Sequence, residues 1–276
     1  MKKRFSVLVL CAIAVLGCKD PSNRIPEIPS KKMLPANFPK SKAGDIVKNA
    51  IEFSGGWNEW RKKKTLSYVK QITFFDSLGN PQRHLKQLHQ YQLQPNFKAK
   101  ISWDEDGDHY EMINNGKQAQ KIKNGAVMPN ESDAKSAWNS TFGSHYVMCM
   151  PFKLADSETI LEYQGLDTLS NNQIVHSIKA TYTKNAGSSG GLHTWWYYFD
   201  TETFELKANF LDYGDGFSYT QNDEYQNVDG IKMNKKRSSY KSNSNRDLVY
   251  KGTEYINEDI MFNVTFDKDL FNLKDE

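Results

Sequence analysis

The feature that most constrains the fold of this chain is a recurring alternation of apolar and polar residues. Between Phe97 and Trp103, every second residue is apolar and the residues between are lysine or serine. Successive side chains of a β-strand point to opposite faces, so a period of two predicts a strand with one buried face. Similar segments, separated by short turn sequences, recur over 66–122 and 159–266. They predict two antiparallel meanders, and an aromatic content of 13% suits a β-rich core.

Two segments replace this period with apolar residues at helical spacing. The first begins at Ser41, a suitable N-cap residue, and ends near Phe53, before a Gly-Gly pair. The second covers 132–150 and ends at Pro151. The order helix, meander, helix, meander predicts an α+β fold that is mainly β, with helices on one face of an antiparallel sheet.

The N-terminus carries the features of an export signal. Three basic residues follow Met1, and 5–17 is then an uncharged run rich in Val, Leu, Ile and Ala. This run is shorter than the stretch of about 20 apolar residues that spans a bilayer, which favours a signal peptide over 1–17. Its end, Val15-Leu16-Gly17-Cys18, resembles the lipobox of bacterial lipoproteins. The resemblance implies that the signal peptide is removed and that Cys18 is acylated, with palmitate or a similar chain.

The segment after the predicted lipid anchor is rich in proline. Five of the nine prolines lie between residues 19 and 40, where no apolar periodicity is present. This composition predicts an extended tether over 18–40, followed by a single domain over 41–276. Because Lys19 rather than Asp follows Cys18, the commonest signal for retention in the inner membrane is absent. We therefore expect a lipid-anchored protein of the outer membrane, facing either the periplasm or the cell surface.

The charge balance argues against a nucleic-acid partner. The sequence has 36 Lys and Arg residues against 33 Asp and Glu residues. Three of the basic residues lie within 1–17, so the mature chain carries equal numbers of basic and acidic side chains. A protein that binds nucleic acid is expected to present a basic face. The membrane, through the N-terminal lipid, is the partner that the sequence predicts most directly.

The residues that could carry chemistry form no recognisable site. Of the cysteines, only Cys149 is neither in the signal peptide nor predicted to bear lipid, and its apolar surroundings predict a buried hydrophobic residue. The six histidines show no metal-ligand spacing, and the acidic run 104–108 is better explained as a hairpin turn than as a calcium loop. Hydrolase, P-loop and dinucleotide-binding motifs are missing from the sequence. We therefore expect a protein that is not an enzyme and has no cofactor and no metal site.

Three parts of the chain resemble the lipoprotein-sorting (Lol) carriers of Gram-negative envelopes and their uncharacterised lipoprotein relatives. One is the opening helix followed by Gly55-Gly56-Trp57, and another is the end of the mid-chain helix at 150–154. The third comprises 161–165, 197–203 and 225–231. The resemblance covers nearly all of 41–266. It implies an unclosed antiparallel β-barrel, or half-barrel, of about eleven strands that is capped by helices.

The resemblance also implies a function for the half-barrel. By analogy with the carriers, we expect an apolar cavity that binds a hydrophobic small molecule or an acyl chain beneath the mid-chain helix. The predicted lining residues are Trp138, Phe142, Tyr146 and Met150 from the helix, and Trp195 and Tyr197 from the sheet.

The alternative is a non-enzymatic accessory subunit of an outer-membrane complex. It would contact an envelope protein or a glycan through the other aromatic pair, Trp196 and Tyr198, on the opposite face of the strand. A large dry cavity favours the carrier hypothesis, whereas a filled core with an exposed aromatic patch favours the accessory subunit.

Overall fold

The structure, a computed structural model, describes residues 34–183 and 193–274. The predicted signal peptide, Cys18 and most of the predicted tether therefore lie outside the described residues. The described helices are α1 (Lys42–Phe53), α2 (Trp57–Trp60) and α3 (Glu131–Met148), and a 3₁₀ turn covers Phe152–Ala155. The described strands are β1 (Thr65–Phe75), β2 (Pro81–Gln92), β3 (Lys98–Glu105), β4 (Asp108–Asn114), β5 (Ala119–Lys123), β6 (Ala126–Val127), β7 (Thr159–Thr168), β8 (Ile174–Tyr182), β9 (Thr194–Asp200), β10 (Leu206–Asp212), β11 (Phe217–Val228), β12 (Ile231–Ser242) and β13 (Leu248–Phe262).

These strands form one antiparallel sheet in the order β6-β5-β4-β3-β2-β1-β13-β12-β11-β10-β9-β8-β7. Each half is a meander, and the pairing of β1 with β13 joins the two halves. The edge strands β6 and β7 are not paired with each other, so the sheet stays unclosed. The predicted fold class is confirmed. The sheet has 13 strands rather than about eleven, and one of the additional strands, β6, has two residues, too few to show an alternating pattern.

Strand β13 is the longest of the described strands. It extends from Leu248 to Phe262 and contains a β-bulge near Asp259, which has a φ angle of 51°. Asn257, in the middle of this strand, donates from its side chain to the carbonyl oxygen of Asn234 at 2.9 Å. Polar residues inside a long strand interrupted the apolar alternation without interrupting the strand.

Helix α1 covers one face of the sheet, called here the inner face. Ser41 caps the helix by accepting from the backbone N–H of Gly44 at 3.2 Å, as its position predicts. The buried stripe of the helix contains Ile46, Val47 and Ile51. These side chains lie in one core with aromatic residues of the inner face, among them Tyr68, Tyr91, Tyr197 and Phe199.

In the main core, α2 from the first half of the chain packs against the 3₁₀ turn that precedes the second meander. Trp60 of α2 stacks on Phe152, with ring centroids 4.4 Å apart and an angle of 7° between the rings. Cys149 is fully buried in the same core, and burial raises the pKa of its thiol to about 12. This thiol is therefore a protonated, apolar side chain, as the sequence predicts.

Two buried histidines should make stability depend on pH. Burial lowers the pKa of His89 and His145 well below the usual value, with smaller contributions from Lys70 and Lys153 respectively. Below about pH 6.5 the unfolded chain binds protons at both histidines, whereas the folded chain does not. The free energy of unfolding should therefore fall by about 1.4 kcal/mol per pH unit for each histidine as the pH drops below 6.5.

Urea unfolding at pH 7.0, 6.0 and 5.5 measures this slope. His89→Gln should reduce this slope, because it removes one of the two buried imidazoles. A free energy of unfolding that stays constant from pH 7.0 to 5.5 would show that these histidines are not held neutral.

Candidate functional site: a cavity between α3 and the sheet

The C-terminal half of α3 borders a cavity above the inner face. The helix contacts β3, β4 and β5, and its residues Gly143, Ser144 and Val147 form one wall of a cavity of about 240 Å³. The sheet supplies the opposite wall from β1 and β9–β13. The sheet residues that line the cavity are Lys70, Trp195, Asn209, Leu211, Ser218, Thr220, Arg237, Ser239 and Tyr255.

Strand geometry explains why these side chains meet. Residues two apart on a strand share a face, which places Asn209 with Leu211 on β10 and Arg237 with Ser239 on β12. Neighbouring strands align them across the sheet, because Arg237 is the partner of Tyr255 on β13. The wall is mixed in character, with the indole of Trp195 beside hydroxyls, amides and two cations.

Arg237 is the first of these cations. The residue is 9% exposed, and its guanidinium donates from Nε to Oδ1 of Asn222 at 2.9 Å and from Nη2 to Oδ1 of Asn209 at 3.1 Å. Both acceptors are neutral amides. Burial lowers the pKa of the guanidinium. Among the described residues, Arg237 forms no ion pair with a carboxylate.

Lys70 is the second cation, and it occupies an apolar stripe. On β1 the residues two positions before and after it, Tyr68 and Ile72, are both buried. The ammonium lies 4.8 Å from the centre of the Tyr255 ring. Burial, and then the positive charge of Arg237, lower the pKa of Lys70 to about 7. No ion pair joins Lys70 to a carboxylate in the part of the chain that the structure describes.

The structure separates the six predicted lining residues. Trp195, 5% exposed, lines the cavity and stacks on Tyr197 at 5.8 Å. Tyr146, Met150 and Tyr197 are instead buried within the main core, where the hydroxyl of Tyr146 donates to that of Tyr182.

The other two predicted residues lie away from the cavity. Phe142 packs at the edge of the main core, 5.5 Å from the ring of Phe97. Trp138 lies in a surface groove with Met128 and Leu273. The six residues therefore do not form one lining, and only Trp195 meets the cavity.

Sequence reasoning missed Lys70 and Arg237 as site residues. A signal existed for Lys70, because a lysine interrupts an otherwise apolar strand face there. Arg237 follows Lys235 and Lys236, and such a basic run is more often a solvated face. Its inward direction depends on the pairing of β12 with β11 and β13, which the local sequence does not specify.

The second aromatic pair of β9 is covered on the outer face of the sheet. Tyr198 is buried and packs with Phe210, and Trp196 packs against the same cluster. The guanidinium of Arg246 lies 5.0 Å from the ring centre of Trp196 and pairs with Asp167 at 2.9 Å. This pair is therefore part of a second core rather than an open aromatic platform.

The acidic run 104–108 forms a tight hairpin turn. Asp106 and Gly107 connect β3 to β4 with φ angles of 52° and 83°, as the hairpin interpretation predicts. Among residues 34–183 and 193–274, no group of three His, Cys, Asp or Glu side chains is placed to hold a metal ion. In the same residues, no helix has the length and apolar character needed to cross a membrane.

Comparison with solved structures confirms the fold. A DUF1329 family protein from Desulfovibrio piger is similar with a TM-score of 0.55 and 10% identity, over 83% of this chain and 97% of that one. A LolA superfamily protein from Nitrosomonas europaea is similar with a TM-score of 0.50 and 8% identity, over 83% of this chain and 96% of that one. These likenesses confirm the resemblance to the lipoprotein-sorting scaffold at the level of fold.

Comparison of sequences identifies the family. No curated protein matches the chain. The model of a family of unknown function, DUF6503, matches residues 36–251, which include α1, α3 and every residue that lines the cavity except Tyr255. The chain therefore belongs to the DUF6503 family.

Proposed function

We propose that this protein is an envelope lipoprotein that binds an acyl-bearing or other hydrophobic ligand in the cavity between α3 and the inner face. The observation that carries the proposal is the cavity itself, because the sheet is covered by helices and yet leaves open space beneath the C-terminal half of α3. Ligand cavities combine an apolar wall with a few placed polar groups. Trp195, Leu211 and Val147 supply the apolar part here.

Membrane attachment completes the proposal. The lipobox at 15–18 supports removal of the signal peptide and acylation of Cys18. A bilayer anchor in the outer membrane would place the domain beside the acyl chains that it is proposed to bind. The Pro-rich segment after Cys18 would hold the domain away from the bilayer surface.

The size of the cavity limits what can be enclosed. A volume of 240 Å³ corresponds to about eight water molecules at roughly 30 Å³ each. The cavity therefore accommodates a head group with the first part of a chain. A longer chain has to pass beside α3 or displace its C-terminal half.

Gly143 offers a direct test of binding in this cavity. It lies within α3 and lines the cavity, and a Cβ atom added there would have no other heavy atom within 4 Å. The Cβ atom of Gly143→Leu should therefore fit without a clash, and its side chain should occupy part of the cavity. Binding of radiolabelled 1-decanol to the mature protein in lipid nanodiscs, measured by equilibrium dialysis and corrected for empty nanodiscs, should fall at least tenfold in this variant.

Gly143→Ala is the matched control, because it adds one methyl group to the same position. Ala is a better helix former than Gly by about 1 kcal/mol, so this variant should raise the free energy of unfolding by about 0.5–1 kcal/mol. It should bind decanol nearly as well as the wild-type protein. If the wild-type protein binds no decanol above the nanodisc background, or if Gly143→Leu binds it equally well, the cavity is not the ligand site.

A further inference from the structure

The two cations of the cavity have no negative partner among the residues that the structure describes. The guanidinium of Arg237 is held by two neutral amide oxygens, and the ammonium of Lys70 faces the ring of Tyr255. The pairing of the strands brings the two charges together, because Lys70 aligns with Asn257 on β13 and Arg237 with Tyr255 on the same strand. Neither is joined to a carboxylate among the described residues.

This arrangement is unfavourable for the empty protein. Arg237 is buried and Lys70 is half-buried, and a charge that is removed from water is usually compensated by an opposite charge. Like charges that lie near each other add repulsion, which is one reason why the pKa of Lys70 is low. A fold that needed only stability would place apolar residues at both positions, as it does at the flanking Tyr68 and Ile72.

A third donor belongs to a residue of the cavity wall. Trp195 lines the cavity, and its buried indole Nε1–H has no hydrogen-bond partner in the described structure. Buried donors are nearly always paired, so an unpaired one at a cavity wall indicates a missing acceptor. Two cations and a free N–H around one cavity are the groups that bind a carboxylate or a phosphate.

We infer that Lys70, Arg237 and Trp195 bind the anionic head of the ligand, a carboxylate or phosphate group attached to an acyl chain. This inference rests on the proposed function, which it narrows from a hydrophobic ligand to an anionic amphiphile. The head group would neutralise both cations and accept from the Trp195 indole, while Leu211 and Val147 would contact the beginning of the chain.

Binding of radiolabelled decanoate, 1-decanol and inorganic phosphate to the mature protein in nanodiscs, measured by equilibrium dialysis, tests the inference. Decanoate and decanol share a chain and differ in head-group charge. We expect decanoate to bind at least tenfold more tightly than decanol, and Lys70→Met to abolish that preference. Lys235→Met removes an exposed cation of β12, paired with Glu224 at 2.8 Å, and should leave the preference intact.

Thermal unfolding of the same variants separates binding from structure. Lys70→Met should raise the unfolding temperature, because it removes a cation without a partner from the cavity wall. A variant that is more stable and binds decanoate less tightly supports the inference. Lower stability with unchanged decanoate affinity would assign Lys70 a purely structural role and overturn it.

The three ligands distinguish the possible failures. Equal affinity for decanoate and decanol would overturn the inference of an anionic head group. It would not contradict the proposed binding of an acyl chain. Binding of inorganic phosphate without decanoate would support the anion site and contradict the acyl chain. Binding of none of the three above the background of empty nanodiscs would overturn both.

Discussion

Replacement of Cys18 by serine should leave the whole chain as an uncleaved precursor without lipid. The lipobox at 15–18 implies that acylation of the Cys18 thiol is required before the signal peptide is removed, and a serine hydroxyl cannot replace that thiol. Labelling of cells with radioactive palmitate should therefore show no incorporation. Mass spectrometry of the purified variant should find residues 1–17 still attached.

Cys11 provides the internal control for this experiment. It lies in the same predicted signal peptide but four residues before the lipobox begins, so Cys11→Ser should be cleaved and acylated normally. Normal processing of Cys18→Ser would contradict the predicted anchor and, with it, the proposed location at the outer membrane.

Substitution of Gly55 by alanine should strongly lower the stability of the fold. Gly55 has a φ angle of 117°, and an added Cβ atom would lie 2.2 Å from the carbonyl oxygen of Gly230. The strained backbone and the clash together should lower the free energy of unfolding by about 3 kcal/mol or more. Chemical denaturation monitored by tryptophan fluorescence measures this change.

The variant Gly79→Ala separates the effect of backbone strain from the effect of the clash. Gly79 has a φ angle of 85°, but an added Cβ atom would have no other heavy atom within 4 Å. Gly79→Ala therefore introduces backbone strain alone, and should cost about 1–2 kcal/mol. Equal losses for the two variants would show that the contact between Gly55 and Gly230 is not tight.

The contact between Gly55 and Gly230 brings together two segments that both resemble the lipoprotein-sorting family. The Gly-Gly-Trp segment after α1 and the Asp-Gly-Ile segment before β12 are far apart in the chain, yet the structure places them together. Lys232 donates its backbone N–H to Ser54 at 3.0 Å, and Lys63 donates its ammonium to the carbonyl oxygen of Asp229 at 2.9 Å. Glycine is needed at position 55 because a side chain there would collide with the backbone of Gly230.

Most of the secondary structure could be predicted from local sequence. Period-two alternation identified β3, and Ser41 with the following Gly-Gly pair bounded α1, because strand faces and helix caps depend on neighbouring residues. The long-range pairing of β1 with β13 could not be predicted this way. It depends on which exposed strand edges meet after both meanders have formed, and the resemblance to a known scaffold was needed for the overall architecture.

The character of the site was harder to predict than the fold. Aromatic residues such as Tyr146 and Tyr197 are equally suited to a cavity wall and to a packed core, and the structure places both in the core. The cavity is instead marked by residues that fit their strands poorly, such as Lys70 in an apolar stripe. Local violations of the folding pattern are expected where a site has a function, because stability alone would remove them.

The central claim is that this protein holds an acyl-bearing molecule beneath α3. Mass spectrometry of the molecules that co-purify with the protein from its native envelope tests it most directly. The wild-type protein should carry an anionic acyl-bearing molecule at close to one copy per chain, and Gly143→Leu, with its cavity partly filled, should carry much less. Identical lipid content in the two proteins, or none in either, would contradict the claim.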